Sequence, residues 1–91
     1  MREIEWRQAA QVDLLDIVEY IADDNPDAAQ ALYDEINAKV SALAGNPFLY
    51  RQGRVTGTRE MTIRHNYIVV YGFDDRKIDV LRVLHTSRQW P

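Results

Sequence analysis

Hydrophobic positions along the chain follow two periods, and the switch between them outlines the fold. Residues 2–7 alternate, with Ile4 and Trp6 on one side, which predicts a short strand. From Ala9 to Ala22 the spacing changes. Val12, Leu15, Val18 and Ile21 recur at three-residue steps, the stripe of an amphipathic helix, with Asp13, Asp16 and Glu19 largely off it. Asn25-Pro26 is a helix start, because the Asn side chain can accept from orphan N–H groups and Pro loses no bond in the first turn. A second stripe follows through Ala29, Leu32, Ile36, Val40 and Leu43 and ends at Gly45, expected as a left-handed terminal residue. So short a junction predicts an antiparallel helical hairpin.

Residues 46–57 have no sustained period and contain two glycines and a proline, which predicts a surface loop pinned by Phe48, Leu49 or Tyr50. Beyond it the two-residue period returns. Residues 58–64 form a strand with Met61 and Ile63 on one face, and His65-Asn66 is a tight-turn candidate. Tyr67 to Phe73 is apolar on both faces, as a central strand would be. Asp74-Asp75-Arg76 turns the chain into a last strand, Lys77 to His85. There Ile78, Val80, Arg82 and Leu84 are assigned to one face and Leu81, Val83 and His85 to the other. The order β-α-α-β-β-β predicts an α+β fold in which the helical hairpin lies across one face of an antiparallel sheet. The second sheet face is left partly open.

Composition narrows the class. At 91 residues, with 46% hydrophobic and 27% charged, the chain is one globular domain, residues 1–91. The absence of cysteine excludes disulfides, thiol catalysis and cysteine-ligated zinc. No apolar run suggests a signal peptide or a membrane span, so a cytoplasmic protein without membrane contact is expected. The two histidines are twenty residues apart with no acid at ligand spacing, and no Gly-rich phosphate loop is present. No metal, cofactor or small-molecule ligand is therefore expected.

The net charge of −3 is unevenly spread. Residues 1–45 carry three basic groups against ten acids, for −7, and residues 46–91 carry eight against four, for +4. Such a split predicts an acidic helical side and a basic side able to meet nucleic acid or an acidic partner, although solvated Asp/Glu-rich helix faces give the same count. Candidate functional residues accordingly lie in the second half: Arg51, Arg54, Arg59, Arg64, His65, Tyr67, Arg82, His85, Arg88 and Trp90. Arginine forks hold phosphates, aromatics stack on bases and histidine moves protons, so together they suit an RNA-cleaving clamp. Each also has a structural reading. Arg82, among apolar neighbours, either pairs with an acid or opens into a polar cleft. His85 is either a hydrogen-bonded strand end or a general acid, and Trp90 either anchors the tail or stacks on a base. Ser87 has no positioned base in view.

The element order, together with Asp24-Asn25-Pro26, Gly45-Asn46-Pro47, Gly57-Thr58-Arg59-Glu60, Asn66-Tyr67-Ile68-Val69-Val70-Tyr71 and Leu81-Arg82-Val83-Leu84-His85-Thr86-Ser87-Arg88, resembles the RelE/ParE toxins of type II toxin–antitoxin systems. The resemblance covers nearly the whole chain and implies growth arrest relieved by a cognate antitoxin. It also implies one of two actions. RelE-like members cleave mRNA on the ribosome, and ParE-like members inhibit DNA gyrase without being nucleases. In the RelE-like case the matching catalytic positions are Arg64, His85 and Arg88, with Arg54 and Arg59 on phosphates. Three departures favour the ParE-like branch: no lysine cluster lies between residues 46 and 64, the tail ends in Trp90-Pro91 rather than Tyr or His, and the net charge is acidic. Under either action the target- or RNA-binding candidates are Arg54, Arg59, Arg64, Tyr67, Arg82, Arg88 and Trp90. A small non-toxic binding module is the remaining alternative. The antitoxin is expected to dock an acidic amphipathic segment near the hairpin and the basic sheet face.

Overall fold

A computed structural model describes residues 1–91 and orders them as β1 (Glu3–Trp6), α1 (Gln8–Ala22), α2 (Pro26–Ala42), β2 (Arg51–Gln52), β3 (Arg59–Ile63), β4 (Tyr67–Phe73) and β5 (Lys77–His85). The five strands form one sheet in the order β1-β5-β4-β3-β2. The β3-β4-β5 meander is antiparallel, as its alternation predicts, and β2 pairs with β3 in the same sense. β1 instead lies parallel to β5, Ile4 opposite Ile78 and Trp6 opposite Val80, so the sheet is mixed. The short β2 lies inside the segment read as loop; only two residues pair, too few to leave a period in the sequence.

Both helices pack on one sheet face. Asn25 caps α2 by accepting from the Ala28 N–H at 3.1 Å, Pro26 occupies the first turn, and Asp27 and Lys39 sit at the helix ends that favour their charges. The α2 stripe is buried as predicted, with Leu32, Ile36, Val40 and Leu43 no more than 1% exposed. The helix closes through three-residue turns from Leu43 to Asn46, and the φ of Gly45 is not left-handed, contrary to expectation.

The stripe of α1 is rotated from its predicted position. Ala10, Asp13 and Leu14 are buried, Ile17, Val18 and Ile21 half-buried, and Val12 and Leu15 exposed. Val12, Leu14, Leu15, Ile17 and Val18 wrap more than half the helix, so periodicity alone left its phase open. The burial of Asp13 settles it, for reasons given below.

The main core joins these helix residues to Met61, Ile63, Val69, Tyr71, Ile78, Val80 and Val83. Each such side chain, fully buried, contributes about 1.5–3 kcal/mol of hydrophobic stabilisation. A bulge in β5 breaks the predicted alternation: Tyr71 pairs with Val80 but Val70 with Arg82, leaving Leu81 as the extra residue. Val80 and Val83 therefore share the helix-facing side, while Arg82 and Leu84 turn to the opposite one, where Ile68, Val70 and Leu84 form a smaller cluster under Trp90.

The loop before β3 is held by specific contacts. Pro47 is buried and Tyr50 packs on the core, whereas Phe48 and Leu49 are 62% and 66% exposed. The buried Tyr71 hydroxyl donates to the Pro47 carbonyl at 2.7 Å, tying the loop to β4, and burial pushes its pKa above the ordinary tyrosine value. Gly53 lies so near Thr58 that a Cβ would collide with the Thr58 Oγ1, and Gly57 has φ 84°, which a side chain would strain. The β3–β4 turn spans Arg64 to Asn66 rather than His65-Asn66 alone, with Arg64 and His65 in left-handed conformations at φ 56° and 71°.

Candidate functional site

The sheet face away from the helices carries four of the predicted residues, Arg51, Arg54, Arg82 and Trp90, and the strand register explains their pairing. Arg51 on β2 lies beside Glu60 on β3, Glu60 beside Val70 on β4, and Val70 beside Arg82 on β5, forming one transverse row. Glu60 is 2% exposed, and its carboxylate accepts from Arg51 Nη2 at 3.1 Å and the Arg54 N–H at 3.0 Å, with Arg54 Nε at 3.7 Å. A buried carboxylate requires this company, since unpaired charge in the interior is costly.

Arg82 is paired from the other side of the sheet edge. β1 stops bonding β5 at Val80, where the Arg7 N–H donates to the Val80 carbonyl. Past that point the Asp13 carboxylate of α1 accepts from the Val83 N–H at 3.0 Å and from Arg82 Nε and Nη2 at 2.6 and 3.0 Å. One acid thus satisfies a strand amide left without a partner beyond the end of β1 and a two-pronged guanidinium. Hydrogen bonding to Asp13 raises the Arg82 pKa further. Of the two readings of Arg82, the structure supports the ion pair.

Trp90 folds back on this face. Its ring packs on the Ile68–Val70–Leu84 cluster with the Arg82 guanidinium 5.9 Å from the ring centroid, and its carbonyl accepts from Arg54 Nη1 at 3.3 Å. The tail is anchored there, although the buried indole N–H has no acceptor. The face expected to be open and basic is thus partly roofed by Trp90, and its arginines face carboxylates of the same chain.

The other candidates lie apart. Arg64 Nε donates to Glu35 on α2 at 2.7 Å, on the helical side. Arg59 Nη1 donates to the Tyr50 and Phe48 carbonyls at 2.7 and 3.4 Å, and the Arg88 side chain is exposed and makes no ion pair. His65 is exposed in its turn. Tyr67 and His85 are register partners with ring centroids 5.5 Å apart, beside a cleft of about 330 Å³ against α1.

Ser87, read as lacking a positioned base, has its Oγ 2.6 Å from His85 Nδ1. The Ser87 N–H donates to the same nitrogen at 3.1 Å, so Nδ1 carries a lone pair and the neutral ring holds its proton on Nε2. The ring then offers solvent a donor, while its acceptor nitrogen is used within the turn. The sequence reading missed Asp13, Glu35 and Glu60, which neutralise the arginines. Only the interrupted apolar pattern around Arg82 hinted at a hidden acid.

No group of three or more His, Cys, Asp or Glu side chains could hold a metal ion, and no helix is long and apolar enough to cross a membrane.

Comparison with known proteins agrees with this architecture. The model for the ParE toxin of the type II toxin–antitoxin system parDE matches residues 4–90. Y4kP of Sinorhizobium fredii, which carries a provisional toxin name, is 37% identical over 91 residues, 99% of this chain and 94% of its own. Toxin RelE2 of Caulobacter vibrioides is 28% identical over 88 residues, 97% of this chain and 99% of its own. Among solved structures, the chromosomal ParDE system of P. aeruginosa superposes with a TM-score of 0.83 at 22% identity, covering 93% of this chain and 96% of that one. The toxin–antitoxin complex DinJ-YafQ of E. coli gives 0.66 at 16% identity over 94% and 93%. These likenesses show the fold.

Proposed function

This chain belongs to the ParE toxin family of type II toxin–antitoxin systems, and from that premise we propose that it arrests bacterial growth by binding and inhibiting DNA gyrase until a cognate antitoxin covers it. The observation that carries the choice of target is the internal neutralisation of four candidate arginines, which leaves only Arg59 and Arg88 of the candidates without an acid. Arg51 and Arg54 are held at Glu60, Arg82 at Asp13 and Arg64 at Glu35. A ribonuclease needs cations free to bind the scissile phosphate and a base to take the 2′-OH proton. Here the His85 side chain bonds only within its own turn, and its accepting nitrogen is occupied. A surface on which most candidate cations are already held by acids of the same chain suits recognition of a protein target better than phosphate chemistry.

The partner reading follows the solved relatives described as toxin–antitoxin systems and complexes. For this chain it means that a second protein occludes the target-binding surface.

Two assays on the purified chain test the proposal: gyrase supercoiling and mRNA integrity in a translating extract. Loss of supercoiling with intact mRNA is expected. Ribosome-dependent mRNA cleavage with unaffected supercoiling would replace this reading with the RelE-like one.

A further inference from the structure

Two guanidinium groups at one corner of the molecule have no carboxylate partner, and they share the same pair of aromatic rings. Arg2 lies 5.5 Å from the Phe73 ring centroid and 6.0 Å from that of Phe48, and Arg59 lies 5.8 and 5.6 Å from the same two. The rings meet edge to face at 4.9 Å. Backbone carbonyls alone hold the cations: Arg2 Nε donates to Asp74 O at 2.6 Å, and Arg59 Nη1 to Tyr50 O and Phe48 O. The Asp74 carboxylate is directed elsewhere, onto the Arg76 and Lys77 N–H groups, which lowers its pKa. Each guanidinium has five donors in its fork, so both keep N–H groups to offer.

We propose that this corner docks an extended acidic segment of the antitoxin, whose carboxylates pair with Arg2 and Arg59 while an apolar side chain covers Phe48. The inference rests on the antitoxin reading above. Charge complementarity selects the occupant, because the sheet-face arginines already have acids and these two do not. Carboxylates on alternate residues of an extended chain point the same way about 7 Å apart, a spacing that suits two cations gathered over one ring pair. Phe48 is 62% exposed, an apolar contact beside the charges. An adjoining cleft of about 390 Å³, sharing Arg59 and Phe73 as walls, extends the surface past Gly57. The small size of the unneutralised patch favours an acidic peptide over a nucleic acid, whose binding needs many phosphate contacts.

The test measures binding of the full chain to a short labelled peptide alternating Glu with Val. Its Gln-for-Glu counterpart and a single-stranded oligothymidine of equal charge serve as competing probes. The peptide is expected to bind with salt-sensitive affinity and the Gln version not to bind. Arg2→Gln and Arg59→Lys should each weaken it about tenfold, the scale of one charge-assisted hydrogen bond. Lys39→Gln, whose cation pairs with Glu35, should leave binding unchanged. Melting curves confirm folding, and Arg2→Gln, which removes one surface carbonyl contact, keeps the test valid if Arg59→Lys unfolds. Equal binding by all variants, binding of the oligothymidine alone, or binding of neither probe overturns the proposal. Growth arrest on expression is scored separately. Arrest without peptide binding sinks this docking site alone, and peptide binding without arrest sinks the toxin reading alone.

Discussion

Asp13 on α1 and Arg82 on β5, 69 residues apart in sequence, are joined by two hydrogen bonds of 2.6 and 3.0 Å, and the same carboxylate accepts the Val83 N–H. This contact fixes the rotation of α1 on the sheet. It also leaves Val12 and Leu15 at the surface.

Removing one partner of that pair should cost more than removing both. Asp13→Leu strands a partly buried guanidinium and a strand amide, an expected loss of about 2–4 kcal/mol. Replacing both residues with leucine should recover a substantial part of it. Urea unfolding of the two singles and the double, treated as a cycle, checks this; independent, additive losses would show that the pair is not coupled.

Tyr71→Phe deletes the bond to the Pro47 carbonyl and is expected to destabilise by about 1–2 kcal/mol. A pH dependence accompanies it. Burial raises the folded pKa of Tyr71 above 10.0, so its contribution is complete below that value and is lost as pH climbs through the folded one. The alkaline fall in Tm should therefore be shallower in Tyr71→Phe than in the parent chain.

Trp90 combines useful packing with an unpartnered indole N–H. Trp90→Phe keeps a ring over Ile68, Val70 and Leu84 and should change stability by less than about 0.5 kcal/mol. Trp90→Ala uncovers them at an expected cost of about 1–2 kcal/mol. Chemical denaturation separates the two outcomes.

His65 sits at φ 71°, a conformation that strains a side chain. His65→Gly removes that strain in an exposed turn and is expected to raise stability by about 0.5–1 kcal/mol, read as a higher urea midpoint.

If gyrase is the target, His85→Ala and Arg64→Ala should leave growth arrest on induced expression within about threefold of the parent, since neither would do proton or phosphate work. Arrest abolished by either substitution, with the protein still folded, would count for the ribonuclease action.

Much of the fold was legible because it depends on local regularities. Leu32, Ile36, Val40 and Leu43 could face only one way on α2, and Asn25-Pro26 marked its start. On α1 apolar residues surround more than half the helix, and the deciding residue, Asp13, is polar and was assigned to solvent. In β5 the bulge at Leu81 shifted the alternation by one residue and sent Arg82 and Leu84 to the far face, a change that the pairing with β4 determines. The candidate residues were chosen by type, and type does not reveal a partner. Arg54 and Arg64 read as available cations although Glu60 and Glu35 lie beside them, and Arg82, for which an acid partner was one of two readings, pairs with an acid, Asp13, that the sequence could not name.

From the sequence alone came the order of every element but β2, the hairpin, the meander and the uneven charge, since each follows from spacing or composition within a short stretch. Tertiary structure alone decided which charges remain available. An ion pair is a meeting in space between groups that distant segments deliver, and Coulomb attraction falls off with distance between atoms, not along the chain. That is why the arginines of the sheet face are satisfied internally while Arg59, a candidate in the sequence, stands without an acid beside Arg2, which was not one.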